Sequence, residues 1–120
     1  MKKFNLIIIL SFCVAFSSSL SAQTNTQSSS WSINQSLPAY SLDNDNGERS
    51  MILDVDFEIP FEKIPQVFLS VTQIDADKET NQRYNVEAIS ISRDGFTLKV
   101  KTWADSKIFS ISGYWIACLE

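Results

Sequence analysis

FTLKVKTW, residues 96–103, alternates apolar and polar side chains from Phe96 to Lys101. Successive side chains on a β-strand point to opposite faces, so Phe96, Leu98 and Val100 share one face, and Thr97, Lys99 and Lys101 share the other. The apolar set predicts a core face. Trp103 falls on the lysine side, which sends it outward if the pleat is unbroken. A bulge before the following turn would re-aim it into a core or subunit contact, so both placements stay open.

The same period of two extends on both sides. Val55, Phe57 and Ile59 alternate with Asp54, Asp56 and Glu58, with Ile52 off the beat, and Pro60 ends that strand. QVFLSVTQI (66–74) is apolar on both faces, which predicts a strand covered on both sides. RYNVEAISIS (83–92) is a third strand, and Arg93-Asp94-Gly95 then signals a hairpin into the strand at 96–103. KIFSISGYWIACL (107–119) is a fifth strand. A short one around 37–42 would make six. No stretch carries the 3.6-residue period of an amphipathic helix. The fold class expected is all-β, a six-stranded antiparallel β-sandwich over residues 51–120.

Upstream, the composition changes. QTNTQSSSWSINQSLPAYSLDNDNGERS (23–50) is rich in Ser, Asn and Gln and has no sustained period. It reads as a flexible leader and an irregular approach segment, with Trp31 and Tyr40 tacking it to the domain surface. Residues 1–22 have the pattern of a cleaved signal peptide: Lys2 and Lys3, then the apolar LIIILSFCVAF (6–16), then SSSLSA ending at Ala22. The apolar run is 11 residues, against the about 20 that a spanning helix needs, so cleavage before Gln23 and export are expected, with no membrane insertion afterwards.

Charge and cysteine usage narrow the function. Without Lys2 and Lys3 the exported chain of 98 residues keeps eight basic residues against 14 acidic ones, a net charge of −6. That balance offers no footprint for nucleic acid or anionic lipid. Cys13 leaves with the signal, so Cys118 has no partner within the chain. A small exported domain without a disulfide has a thin core, and oligomerisation is the usual remedy.

Catalytic chemistry is poorly supplied. There is no histidine, and Cys118 sits in an apolar strand with no neighbour that would favour its thiolate. Asp54 and Glu58 are better explained as a solvated strand face than as a hydrolytic pair. DNDNGE (43–48) has oxygen ligands near a glycine, but its register differs from a calcium-binding loop, and a polar turn accounts for it. The residues suit carbohydrate better. Arg83 and Asp105 can hydrogen-bond vicinal hydroxyls, and Trp103 offers a flat apolar face to a sugar ring. Arg83 paired on the surface with Glu79 or Glu87 is the plainer alternative.

An ordered set of residues carries a resemblance. Phe57, Pro60 and Phe61 form an opening Phe-x-x-Pro-aromatic motif, and Pro65, Val67 and Ser70 a Pro-x-Val-x-x-Ser strand closed by Asp75. Arg83, Gly95-Phe96, Thr102-Trp103 and Trp115 then follow in order. Over about residues 51–118 the chain resembles the H-type lectin domain, the family of snail agglutinins and discoidin C-terminal domains. The resemblance implies a β-sandwich assembled as a homotrimer, or trimers paired as a hexamer, that binds galactose or N-acetylgalactosamine-type glycans in clefts between subunits without metal or cofactor.

It also implies roles for residues. Arg83 matches the family's sugar-binding arginine, and Trp103 an aromatic beside the sugar's acetamido group. Phe109 stands where the snail agglutinins have a tyrosine. Asp45, with Asn46 next, is the nearest match to an aspartate that precedes the first core strand. Ala104 replaces a sugar-contacting histidine, with Asp105 one place on. The function expected is a secreted, multivalent lectin suited to adhesion; the alternative is a secreted trimeric β-sandwich that serves as a structural or protein-interaction subunit without sugar binding.

Overall fold

Seven strands build the sandwich in the computed structural model, which describes residues 25–44 and 46–120. The expected signal segment and Asp45 lie outside the described residues. The strands are β1 (Thr26–Asn34), β2 (Arg49–Asp56), β3 (Gln66–Leu69), β4 (Gln73–Ala76), β5 (Asn85–Ile89), β6 (Gly95–Thr102) and β7 (Ile108–Cys118). One sheet runs β1-β7-β3, with β4 paired to β7 beyond β3, and the other runs β2-β6-β5. Every pairing is antiparallel. The all-β sandwich holds; the strand count is one higher than expected.

The core lies between the sheets. Phe96, Leu98 and Val100 of β6 are buried as their parity predicts, facing Ile111, Trp115 and Ala117 of β7. Phe57 and Phe61, the ends of the Phe-x-x-Pro-aromatic motif, meet edge to face with centroids 4.9 Å apart, and Phe57 also packs on Phe96 and Trp115 at 5.9 and 5.7 Å. Such pairs add to the burial of the rings themselves. The motif is therefore a core plug between β2 and β3.

Upstream of β2, two expectations need correction. The segment read as a leader contains β1, which pairs with β7 residue for residue from Thr26↔Cys118 to Asn34↔Ser110. Its Trp31 and Ile33 are core residues, 3% and 0% exposed. Only those two of its nine residues are large and apolar, so its composition resembles a loop, and pairing with β7 makes it a strand. The short strand expected around 37–42 is instead a run of turns, with N–H groups of Leu37 and Tyr40 donating to the carbonyls of Asn34 and Leu37. Buried Leu42 and the Tyr40 hydroxyl, which donates to Ile108 O at 2.5 Å, pin that run down.

The single strand expected at 66–74 is split into β3 and β4. Between them the chain closes over Gly113, where an added Cβ would lie 1.8 Å from Ser70 O. Ser70 and Thr72 still donate to Tyr114 O and Ser112 O, so the break is local. Phe68, expected to be covered, is 55% exposed on the outer face. Gly95 likewise serves close approach rather than a tight two-residue turn. It opens β6, and a Cβ there would sit 2.1 Å from Val55 O.

Candidate functional site

β6 leaves the core at Thr102 and turns through Trp103–Ser106 before β7 begins. Ala104 makes the turn with φ 57°, a left-handed conformation that costs a residue with a Cβ. Arg49, only 7% exposed and directly opposite Thr102 in the β2–β6 register, reaches across it. Its Nη1 donates to Ala104 O at 2.8 Å and to Gly47 O at 3.0 Å, and its Nη2 donates to Ser106 O.

The turn in turn grips Arg83. Thr102 Oγ1 donates to Arg83 O at 2.5 Å, and the Arg83 N–H donates to Ser106 Oγ at 3.0 Å. Ser106 Oγ donates onward to Asn81 O at 2.5 Å. Thr102 and Ser106 are both fully buried, so these bonds form away from competing water. The main chain of Arg83 is thus held on both its N–H and its carbonyl.

Two of the five expected site residues, Arg83 and Asp105, are brought into contact here, and a third, Trp103, lies in the same turn as Asp105. Arg83 lies two residues before Asn85, the first residue of β5. Its Nη1 is 2.5 Å from Asp105 Oδ1, with the two side chains 34% and 53% exposed. That bond is the main reason the Asp105 carboxyl is held below its ordinary value of 3.8. Trp103 is 38% exposed, so the unbroken pleat does send it outward, and no bulge interrupts β6. The Lys101 ammonium stands 5.8 Å from its ring centroid, an attractive arrangement that occupies one face of the indole.

Phe109 is half-buried at a bulge in β7. Asp75 pairs with Ser110 but Ala76 with Ile108, so Phe109 is the extra residue, turned aside between core-facing Ile108 and Ile111. Asp45 is not among the described residues, but Gly47 is brought to the turn by the shared Arg49 nitrogen.

Sequence reasoning missed Arg49 and Ser106. Thr102 carried the one readable signal: it continues the core parity of Phe96, Leu98 and Val100, and a polar group at a core position needs a partner. An open groove of about 720 Å³ lies elsewhere, along the edges of β1 and β2, bordered by Ser29, Trp31, Asp54, Asp56 and Trp115. Arg83, Trp103 and Asp105 do not line it. Among the described residues no group of three or more Cys, Asp or Glu side chains is placed to hold a metal.

Comparison with known proteins gives one consistent result. The family profile described as the H-type lectin domain matches residues 52–118. The chain is 38% identical over 72 residues to "ATP synthase subunits region ORF 7" of Fuscovulum blasticum, covering 60% of this chain and 63% of that protein. It is 34% identical over 77 residues to one of the discoidin-1 polypeptides of Dictyostelium discoideum, covering 63% of this chain and 30% of that protein. The chain thus spans less than two thirds of these relatives. Discoidin II of Dictyostelium discoideum superposes with a TM-score of 0.69 at 23% identity, over 78% of this chain and 36% of that one, a likeness of fold.

Proposed function

Because this chain belongs to the H-type lectin family, we propose that it is an exported carbohydrate-binding protein that takes galactose or N-acetylgalactosamine-type residues at Arg83, Trp103 and Asp105, without catalysis. The observation that carries this reading is the Arg83–Asp105 pair, tied to the turn that also bears the partly exposed Trp103, with the Arg83 backbone fixed from both sides. Arg83 keeps free N–H donors after one is spent on Asp105, and the carboxylate keeps free lone pairs. A pair of vicinal hydroxyls can donate to the carboxylate and accept from the guanidinium at once. The open side of the indole then meets the C–H face of the ring. Phe109 and Asp45 belong to the same proposed site as flanking residues. Because the ordering entropy is met by the fold, sugar binding does not have to supply it.

One such site alone binds sugar weakly, and assembly would supply the strength. On the outer face of the β1-β7-β3 sheet, Phe68 and Ile116 are cross-strand partners, 55% and 45% exposed, beside Tyr114 at 57%. Further copies of the chain, as a trimer or a pair of trimers, would cover this patch and present several sites to one glycosylated surface. Residues 1–22 supply the route of export, and adhesion is the role such multivalence suits.

A second reading has specific support. Ala104 offers no polar side chain beside the sugar position, and Lys101 already occupies one face of Trp103. These features favour an assembled structural or protein-interaction subunit. A glycan array on the exported protein decides. Binding to galactose-type glycans is expected, with Arg83→Ala and Trp103→Ala each abolishing it while the oligomer and its melting stay unchanged. Loss of assembly along with binding would make both residues structural.

A further inference from the structure

Arg49 is the one charged side chain buried in the described core, and it has an unusual set of partners. The ion pairs Lys78–Glu79 and Arg83–Asp105 leave it out. Its hydrogen bonds go to main-chain carbonyls, those of Gly47, Ala104 and Ser106, and its Nε has no partner among the described residues. A buried guanidinium bonded in this way is a poor device for stability alone, since an apolar side chain of similar size avoids the desolvation.

What the guanidinium supplies is geometry. Its fork holds two carbonyls of one turn, Ala104 and Ser106, and the left-handed Ala104 lies between the two elements it joins. A residue with a Cβ stays in that conformation only where its surroundings over-determine it. From Ser106 the linkage continues through the hydroxyl to the Arg83 N–H, and from Arg83 to Asp105. We infer that Arg49 is the positioning residue of the sugar site: it holds the Trp103–Ser106 turn so that Trp103 and Asp105 stand ready beside Arg83. The inference rests on the lectin reading for its purpose, but the positioning itself is measurable without any sugar.

The test compares Arg49→Met, Arg49→Lys and the double variant Arg49→Met/Ala104→Gly in the exported protein. Amide hydrogen exchange is followed at Arg83, whose N–H is held by Ser106, and at Leu98 in the centre of β6; affinity for N-acetylgalactosamine is measured in parallel. In Arg49→Met the Arg83 amide should exchange about tenfold faster or more while Leu98 is unchanged, the signature of a local opening. Sugar affinity should fall about tenfold with it. Arg49→Lys, which cannot bridge two carbonyls as a planar fork, should shift the same way and replaces Met if that variant does not fold. Glycine tolerates the left-handed conformation, so the double variant should recover most of both losses. Equal acceleration at Arg83 and Leu98, or no change at Arg83, overturns the inference. If the unmodified protein binds no galactose-type glycan, the lectin reading fails, and the exchange comparison still decides the role of Arg49.

Discussion

At the scale of single residues, Trp103 was the most legible position and Arg49 the least. The outward direction of Trp103 follows from strand parity with Lys99 and Lys101, a local property. Arg49 is held by carbonyls 55 and 57 residues away, and a carbonyl has no signature in a list of side chains. Asp105 was named as a hydrogen-bonding type; its pairing with Arg83 rather than a pairing of Arg83 with Glu79 or Glu87 needed the turn. That pairing gives a pH dependence with a definite sign. The Asp105 carboxyl is lowered in the folded protein, chiefly by the Arg83 hydrogen bond, so its contribution is complete above the unfolded value of about 3.9. It is lost only as pH falls through the lower folded value. Sugar affinity measured by titration should therefore be flat across neutral and mildly acidic pH and fall only once pH drops below the ordinary Asp value of 3.8. Asp105→Asn should bind more weakly at neutral pH and lose that acid limb; a decline already present near pH 6 would point to another group.

At the scale of elements, legibility followed apolar content. β2, β6 and β7 place apolar residues at alternate positions and could be read directly. β1 offers only Trp31 and Ile33, and it lies before residue 52, where the family match begins. Its membership in the sandwich has a measurable consequence. Trp31→Ala should lower unfolding free energy in urea by about 3–5 kcal/mol, and Ile33→Ala by about 2–5 kcal/mol, far more than a tacked-on leader would allow. The split between β3 and β4 was hidden for a different reason: the constraint is Gly113 on another strand. Gly113→Ala would drive a methyl group into Ser70 O, and neither backbone can yield easily. A loss of about 3 kcal/mol or more is expected in the same urea assay, since forced overpacking reaches that range. A neutral result would mean that the crossing at Ser70 is much looser than the structure has it.

At the scale of the whole molecule, the sequence offered a reason to propose assembly but no face for it. A small core without a disulfide suggests assembly, whereas Phe68 read as an interior residue of a doubly covered strand and Ile116 as one of the apolar residues of the last strand. They are exposed cross-strand partners instead. Phe68→Ser with Ile116→Ser should convert the proposed oligomer to monomers in sedimentation, and retention on a glycan-coated surface should fall by about 10²-fold or more as avidity is lost. An unchanged mass would remove this face from the assembly. One further property follows from the run of β7. The Trp103 turn feeds its first residue, Ile108, while its last, Cys118, pairs with Thr26, and the Leu119 N–H donates to Asn25 O. At about 3.3 Å per residue, 11 residues carry the chain roughly 35 Å. The strand ends therefore mark one pole of the chain and the proposed sugar site the other. Whatever is joined to the strand ends, a bead, a fluorophore or a neighbouring domain, hangs from the first and leaves the second facing out, like the head of a pin.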